Sequence, residues 1–409
     1  MVKGEMMGRF RWVVLGMAVH ALASVPASAQ AGGTILVRGG TIHTAAGAPI
    51  RNGSVLIRDG KIVAIGTNVS APSGARIIDA SGKVVVPGMI DNHSHIGAKV
   101  SDLNDTPVLI GPQHRFLDVL DWTDPEFANA VSGGVTTIVT GPGSGENVSG
   151  MAVVIKTFGE DLTKRMLLEK GGMKFAMGPK GRDRYPGTGM GVAANLRQYL
   201  IRTQEYLAGQ KKWVDEGRKG NPPARDLAYE GMGLVLDRTT YVRSHVHSAT
   251  DVATILRLKD EFGFDLTLHH STEAYKLAPE LAKRNVSAVV LPLGPRIGVT
   301  DDALAGIYDL WKAGVKVAMH TDAPVINQKW LRLCAAIVMR YGVPEDEALK
   351  MVTLNAAEIA RVGDRVGSLE VGKDADLVIM NGPWYEPASR VDLVVGDGRV
   401  IYDRSTEGK

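Results

Sequence analysis

Two histidines stand two residues apart in the segment Pro87-Gly88-Met89-Ile90-Asp91-Asn92-His93-Ser94-His95, directly after an apolar run. Side chains at positions i and i+2 of a strand point to the same face of a sheet. His93 and His95 are therefore predicted to converge, and two converging imidazoles suit a borderline-soft divalent metal ion. The Pro-Gly-x-Ile-Asp sequence before the pair favours a metal site over two polar histidines on a loop.

Two other apolar runs end in pairs of histidines. His245 and His247 are spaced like the first pair, so they share a face and either could bind a metal. His269 and His270 are adjacent, and adjacent strand residues face opposite ways, so only one of them is expected to look toward the site. The other is expected to pack against helices.

A carboxylate follows a fourth run, in the segment Met319-His320-Thr321-Asp322. A carboxylate beside a metal can take a proton from water and later give it to a departing amine. Asp322 is therefore the candidate acid–base group. His320 shares its face, and both a substrate contact and a structural role remain open for it. Asp91 lies deeper by one strand repeat.

Residues 87–360 alternate β-rich runs with helical stretches, which predicts a parallel sheet flanked by helices. The run before Met89 and seven later runs give eight strands, the number that closes a (β/α)₈ barrel of the TIM type. In such a barrel the active site lies at the carboxyl ends of the strands. The polar segment 181–235 is predicted to be a helical insertion over the barrel mouth.

Both ends of this central region are β-rich, with short strands separated by Gly-containing turns such as Asp59-Gly60. We predict that residues 30–86 and 361–409 form one small split β-sandwich. It would be completed when the carboxyl-terminal part of the chain folds back onto the amino-terminal part. The predicted fold class is thus α/β, a barrel with a sandwich built from both chain ends.

The first 29 residues have the three-part pattern of a secretory signal peptide. Basic residues, an apolar run and a small-residue cleavage signal follow one another as Lys3, Arg9 and Arg11, then Trp12 to Val25, then Ala27-Ser28-Ala29. The apolar run is shorter than the roughly 20 residues of a spanning helix. The mature chain is predicted to begin at Gln30 and to be periplasmic or secreted, with no membrane contact after cleavage.

The composition of the 409 residues is that of an ordinary folded protein, with 44% hydrophobic and 22% charged residues. Without the leader the chain is nearly neutral, which argues against nucleic acid as a partner and leaves a small-molecule substrate. Cys334 is the only cysteine, so neither an internal disulfide nor a metal cage of several thiolates can form. A homo-oligomer remains open.

The chain resembles enzymes of the amidohydrolase superfamily, most closely the imidazolonepropionase- and prolidase-related branch, across residues 34–402. The resemblance rests on the split sandwich, Pro87 to His95, Gly134-Val135-Thr136-Thr137 and Thr321-Asp322-Ala323-Pro324. It implies a barrel with one or two divalent ions, usually zinc, and a metal-bound hydroxide as nucleophile. The metal ligands it implies are His93, His95, His245, His270 and Asp322, and His247, Tyr275 and His320 are then expected to contact substrate.

Binuclear members of this superfamily use a carboxylated lysine or a glutamate as a bridging ligand. Lys156 ends the third predicted strand at the expected end and is the candidate for this bridge. Lys174 begins the fourth strand, at the wrong end, and Lys180 follows it on a loop. The fifth strand reads His245-Val246-His247-Ser248, without the His-x-x-Glu of many deaminases, and Glu273 is expected to orient a neighbour.

The sequence therefore predicts an exported, metal-dependent hydrolase that cleaves an amide bond in a small peptide or a cyclic amide. A lactonase or another ester hydrolase is the first alternative, because the same hydroxide attacks both kinds of bond. A deaminase is the second. A non-catalytic exported binding protein is the contrasting class, and it is disfavoured because both the His-x-His pair and Asp322 are intact.

Overall fold

The computed structural model describes residues 33–178, 185–293 and 300–407, which form a mixed α/β fold. The predicted signal peptide, residues 1–29, lies outside the described residues, as does Lys180. The strands are β1 (Ile35–Ile42), β2 (Ile50–Arg58), β3 (Lys61–Gly66), β4 (Arg76–Asp79), β5 (Val84–Pro87), β6 (Met89–Ser94), β7 (Val135–Thr140), β8 (Val148–Met151), β9 (Val153–Lys156), β10 (Met166–Leu168), β11 (Met173–Ala176), β12 (Val242–Val246), β13 (Leu266–His270), β14 (Ser287–Val290), β15 (Val317–Met319), β16 (Leu377–Met380), β17 (Val391–Gly396) and β18 (Arg399–Asp403). The α-helices are α1 (Glu126–Ser132), α2 (Leu162–Arg165), α3 (Gly189–Asp215), α4 (Leu227–Leu236), α5 (Ala249–Phe262), α6 (Ala278–Lys283), α7 (Asp301–Lys312), α8 (Leu331–Met339), α9 (Glu345–Met351) and α10 (Leu354–Ile359).

Strands from both ends of the described chain share one sheet of eight strands. Its order is β18-β17-β16-β5-β1-β2-β3, and β4 pairs with β1. The antiparallel pairing of β16 with β5 joins the two ends, with Leu377 opposite Pro87. A separate cluster of buried aliphatic side chains, including Ile57 and Ile379, packs on this sheet. The carboxyl-terminal strands thus return to the amino-terminal ones, while the second layer of a sandwich remains a prediction.

Parallel strands of the central region bring the histidine-bearing segments to one end. Strands β11 to β15 are parallel and adjacent in order, and β6 is parallel to β7 in a second sheet. A parallel bridge between Ser94 and Ala323 links the end of β6 to the segment after β15. There the backbone N–H of His95 donates to the carbonyl of Ala323 at 2.8 Å.

Strand β9 runs against the direction that the sequence analysis assumed. It pairs antiparallel with β7, so that Val153 lies opposite Thr140 and Lys156 lies opposite Thr137. The carboxyl end of β9 is therefore at the amino end of β7. Strand β8 is likewise antiparallel to β11. Residues after β9 consequently lie at the opposite end of the sheet from those that follow β6.

Capping residues mark both ends of helix α5. In α5, Ser248 caps the first turn by accepting from the backbone N–H of Asp251, and Gly263 ends the helix with φ of 76°. The segment 181–235 contains α3 and α4. Arg197 of α3 bonds to Glu261 of α5, which ties this segment to the helices. None of the helices within the described residues is long and apolar enough to cross a membrane.

Candidate metal centre

The carboxylate of Asp322 lies between the two imidazoles of the His-x-His pair. Oδ1 of Asp322 is 3.4 Å from Nε2 of His93 and 3.3 Å from Nε2 of His95. His93 lies in β6, His95 is the first residue after β6, and Asp322 lies in the turn after β15. The three side chains, called here the first group, could hold one metal ion together.

Lys174 reaches the first group from β11. Its Nζ lies 3.0 Å from Nε2 of His93, and the residue is almost fully buried. In the sheet Lys174 is paired with Arg243 and stands two residues before Ala176, which is opposite His245. Two residues are roughly 7 Å of strand, a distance that the extended lysine side chain spans. Lys174 therefore reaches the site although its backbone lies toward the amino end of the strand, where the sequence alone places it outside the site.

A second group of three imidazoles lies beside the first. His245 and His247 of the β12 segment and His270 at the end of β13 offer nitrogens within 4.8 Å of one another. The ring centroids of His245 and His270 are 4.2 Å apart, and that of His247 is 4.7 Å from His245 and 5.0 Å from His270. This second group brings His247, predicted as a substrate contact, next to the two predicted ligands.

Four of these imidazoles are held in the same way, through Nδ1. The Nδ1 partners are the carbonyl of Gly141 for His95 at 2.7 Å, Nδ1 of His269 for His93 at 3.0 Å, the hydroxyl of Ser144 for His245 at 2.9 Å, and the hydroxyl of Thr272 for His247 at 2.9 Å. Metal-binding histidines are usually oriented by a partner on the ring nitrogen that does not touch the metal. The arrangement leaves Nε2 of each ring as the nitrogen directed to a metal.

The paired histidines of β13 both lie near the site. His270 belongs to the second group, whereas His269 bonds through Nδ1 to His93 and is fully buried there. The expectation that His269 packs against helices is therefore corrected. His270 and Ser271 both have left-handed backbone, with φ of 63° and 56°, which breaks the simple alternation of strand side chains. Left-handed non-glycine residues often occur at functional sites.

His320 lies in the middle of the cluster. Its ring stacks on that of His93 with 4.8 Å between centroids and meets the ring of His270 edge-on at 4.8 Å. It is fully buried, and neither of its nitrogens has a hydrogen-bond partner among the described residues. Buried polar atoms are normally partnered, so a ligand or a water is expected next to this imidazole.

The cluster favours neutral imidazoles. Burial lowers the pKa of His93, His270 and His320 well below 6.5, and the nearby charge of Lys174 adds to that lowering. Burial likewise lowers the pKa of His247. A neutral imidazole has the free lone pair that metal binding requires.

Asp322 is held in its ionised form. Burial alone would raise its pKa, but the hydrogen bond from His95 and the nearby His270 and Lys174 outweigh burial and hold the pKa below its usual 3.8. The backbone at Asp322 is left-handed, with φ of 55°, and its N–H donates to the carbonyl of His93 at 3.1 Å. The carboxylate is thus fixed in place and able to accept a proton at neutral pH.

Asp91 connects the two segments that supply the first group. Its Oδ1 accepts from the backbone N–H groups of His93 and Thr321, each at 3.2 Å. Its Oδ2 accepts from the Thr321 hydroxyl and from Gln328 Nε2. Burial raises the pKa of Asp91 to about 6, although these hydrogen bonds oppose the rise. The depth of Asp91 follows from its place in the sequence, whereas this connection depends on tertiary contacts.

Lys156 is not brought to the histidines, and its predicted place as a bridging ligand is corrected. Its fully buried Nζ lies 2.9 Å from Asp374, 3.0 Å from Asp376 and in contact with Asp397. Burial would lower the pKa of Lys156, but the three carboxylates outweigh burial and raise it. The antiparallel direction of β9 explains the error, because it carries Lys156 to the amino end of β7.

Two other predicted participants have structural partners elsewhere. The ring of Tyr275 packs against Gly306 of α7, where an added Cβ would come within 2.3 Å of the ring. Glu273 accepts from the backbone N–H of Ala249 at 2.8 Å and from Lys276 at 2.7 Å. Glu273 therefore orients the start of α5, in agreement with its expected role in orienting a neighbour.

The donor set of the two groups fits a divalent metal of the zinc type. Zinc accepts imidazole nitrogen and carboxylate oxygen, and catalytic zinc sites commonly have three protein ligands. Nε2 of His247 is buried and has no hydrogen-bond partner in the described part of the chain, as expected for a nitrogen directed to an ion. The ionised Asp322 and the lowered pKa of His93, His247 and His270 also favour the protonation states that ligands need.

Comparison with known proteins places these features among enzymes. The family model described as "Amidohydrolase family" matches residues 243–401. Amidohydrolase tasK of Hapsidospora irregularis is 28% identical over 392 residues, which cover 86% of this chain but 40% of that relative. This chain thus spans less than half the length of tasK. An imidazolonepropionase of Geobacillus sp. (strain WCH70) is 25% identical over 416 residues, covering 86% of this chain and 90% of the relative.

A deaminase and two solved structures extend the comparison. A 5-methylthioadenosine/S-adenosylhomocysteine deaminase of Symbiobacterium thermophilum is 25% identical over 427 residues, covering 90% and 93% of the two chains. The crystal structure of an amidohydrolase from Thermotoga maritima MSB8 is 34% identical, with a TM-score of 0.84, over 90% of this chain and 100% of that one. A prolidase complexed with N-methylphosphonate-L-proline is 18% identical, with a TM-score of 0.59, over 91% and 100%. At that identity the likeness is one of fold alone.

Proposed function

This chain belongs to the amidohydrolase family, and we propose that it is a metal-dependent hydrolase that cleaves a carbon–nitrogen bond in a small peptide or a cyclic amide. The observation that supports this most directly is the first group, in which Asp322 Oδ1 lies within 3.4 Å of the Nε2 atoms of His93 and His95. An ionised carboxylate beside two imidazoles combines metal ligands with a proton acceptor.

The metal, when bound, would polarise the substrate carbonyl and acidify a bound water. His93 and His95 would hold it, and Asp322 would accept the water proton on a carboxylate oxygen and then donate it to the departing nitrogen. His320 lies against His93 and His270 and could donate a hydrogen bond to the substrate carbonyl oxygen. Asp91 fixes the distance between the two strand ends through its bonds to Thr321.

Lys174 replaces Lys156 as the proposed bridging residue. Its Nζ lies 3.0 Å from Nε2 of His93, and Lys174 is paired with Arg243 in the sheet. A lysine amine in its neutral form can add CO₂ to give a carbamate with release of one proton. The carbamate would supply two oxygen ligands and would restore the negative charge that two divalent ions require.

The substrate class is inferred from the relatives together with the site. An imidazolonepropionase is among the relatives and a prolidase is among the fold neighbours, and both favour a small amide. A deaminase is less favoured, although a deaminase is among the relatives. Glu273, the acid that follows His270, is committed to Ala249 and Lys276 and does not face the histidines.

The experiment is a substrate panel on purified protein reconstituted with zinc, manganese or cobalt. Dipeptides, cyclic amides, lactones and aminopurines would be compared by kcat/KM, with product analysis for amine, carboxylate or ammonia. We expect the amides to be the best substrates. A clear preference for lactones, or release of ammonia from aminopurines alone, would contradict the proposal and would support one of the alternative functions.

We also propose that the four-stranded sheet β10-β9-β7-β6 and the six-stranded sheet β15-β14-β13-β12-β11-β8 are arcs of one closed (β/α)₈ barrel over residues 87–360, with a sandwich from 30–86 and 361–409. The Ser94–Ala323 bridge supports closure between β6 and the segment after β15. Export with cleavage before Gln30 is proposed from the leader sequence alone. Amino-terminal sequencing of the mature protein tests it, and an intact Met1 in exported material would refute it.

A further inference from the structure

We propose that His247 is a metal ligand, and that the second group, His245, His247 and His270, forms a complete three-imidazole site that does not depend on Lys174. This inference rests on the proposed metal-dependent function and adds to it the ligands of the second metal position. It changes the role of His247 from a substrate contact to a protein ligand.

The side chains of the second group have the same spacing as those of the first. His245 and His247 stand at i and i+2 of the β12 segment, as His93 and His95 do at β6. Each pair is completed by one side chain from another strand, Asp322 in the first group and His270 in the second. The described residues therefore offer two groups of the same construction, each with three donors and no residue of the other, besides a third set, His93, His270 and His320, that shares one residue with each.

The two nitrogens of the His247 ring differ in their hydrogen bonding. Its Nδ1 lies 2.9 Å from the hydroxyl of Thr272, as Nδ1 of His245 lies 2.9 Å from that of Ser144. Its Nε2 is buried and has no hydrogen-bond partner among the described residues. A hydroxyl on one ring nitrogen and a free, buried second nitrogen is the arrangement of a metal-binding histidine with its outer partner.

The second group offers three imidazole nitrogens as metal ligands. Three histidine nitrogens with one open position are a known catalytic zinc site. A position with that donor set needs no carbamate to bind an ion. Lys174, in contrast, lies against His93 of the first group at 3.0 Å. The loss of Lys174 should therefore weaken the binuclear site without emptying the second position.

The experiment isolates the second group by removing the first. In a His93→Ala/His95→Ala background, the dissociation constant for Zn²⁺ or Co²⁺ would be measured by competition with a chromogenic chelator. We expect one ion per chain to remain. A further His247→Ala change should weaken its binding at least about tenfold, because even loss of a ligand's outer partner costs about 10- to 100-fold. Thr272→Val is the matched outer-partner variant and should give a loss within that range.

A second measurement avoids the multiple variant. In the otherwise unchanged protein, His247→Ala should release one of the bound ions to the chelator faster, and the visible spectrum of the Co²⁺ form should change. Circular dichroism would verify that each variant is folded. Unchanged metal affinity, release and spectrum in His247→Ala, with only KM raised, would overturn the inference and leave the proposed function standing. A wild-type protein that binds no divalent ion would overturn both.

Discussion

The ammonium nitrogen of Lys174 lies 3.0 Å from Nε2 of His93, although Lys174 is level with Arg243 in its sheet and not with the histidines. Lys174 and Arg243 are both almost fully buried close to the cluster of imidazoles. Buried charges are costly unless they are compensated. Uptake of CO₂ would convert the Lys174 side chain into an anionic carbamate, and bound divalent metal would compensate that negative charge.

Replacement of Lys174 by Met should weaken binding of at least one metal ion about tenfold or more, because the variant cannot form a carbamate. Methionine has a similar length and is apolar, so the fold should be retained. Metal content after dialysis, measured by elemental analysis, is the readout. A short carboxylic acid such as acetate should partly restore metal content and activity by taking the place of the carbamate. Wild-type metal affinity in Lys174→Met would show that the lysine has no part in the site.

Lys156→Met is the matched variant for Lys174→Met and should have the opposite phenotype. Removal of Lys156 leaves the carboxylates of Asp374 and Asp376, both about 3% exposed, without their common partner. Loss of one member of a buried ion pair typically costs about 3–5 kcal/mol. The free energy of unfolding from urea titration should fall by that order, while metal content stays at the wild-type level.

A Lys156→Met variant as stable as the wild type, or one that loses metal while remaining folded, would contradict this assignment. Lys61 and Arg365 also pair with Asp374, so part of its charge stays compensated. The loss is therefore expected nearer the lower end of the range if Asp376 takes up a proton. Circular dichroism at the temperature of the metal assay separates unfolding from loss of a ligand.

The different fates of these two lysines show where local sequence patterns suffice. The convergence of His93 and His95 follows from the period of a strand, which local sequence reveals. The position of Lys156 depends on whether β9 runs with or against β7, and this direction is set by tertiary pairing. The side chain of Lys174 is also long, so its terminal nitrogen lies far from the Cα position that the sequence pattern predicts.

Backbone conformation limits the sequence prediction at β13 as well. Alternation along a strand implied that only one of His269 and His270 could face the site. The left-handed φ of 63° at His270 breaks that alternation, so that His270 joins the second group while His269 supports His93. The residue types at the end of β13 did not predict this left-handed backbone conformation, because neither His270 nor Ser271 is glycine. The connection of Asp91 to Thr321 likewise depends on strands far apart in the chain.

Removal of metal should lower the stability of the folded protein. An ion that binds only the native state stabilises it by RT ln(1 + [L]/Kd), or about 2.7 kcal/mol at 100 times Kd. Chelator treatment should therefore lower the melting temperature, and added Zn²⁺ should restore it in a concentration-dependent way. The His93→Ala/His95→Ala variant should respond less, because it retains only the second group. An equal response of the two proteins would place the stabilising ion elsewhere.

Asp322→Asn should abolish most of the activity while leaving metal in place. The carboxylate of Asp322 is 3.3 Å from Nε2 of His95 and is kept ionised by its neighbours, so it can accept the proton of the attacking water. Asparagine keeps the size and one oxygen ligand but cannot carry that proton. General acid–base groups typically contribute about 10² to 10⁴ in rate, so kcat on the best amide should fall at least about 100-fold.

Glu273→Gln is the matched control for Asp322→Asn, because it also neutralises a carboxylate near the carboxyl ends of the strands. Its oxygens are bonded to Ala249 and Lys276 and not to the histidine cluster, so kcat should stay within a few-fold of the wild type. Elemental analysis of both variants would separate loss of a proton acceptor from loss of metal. Near-normal turnover by Asp322→Asn would refute the assignment, and it would make His320, the buried imidazole stacked on His93, the next group to test by substitution.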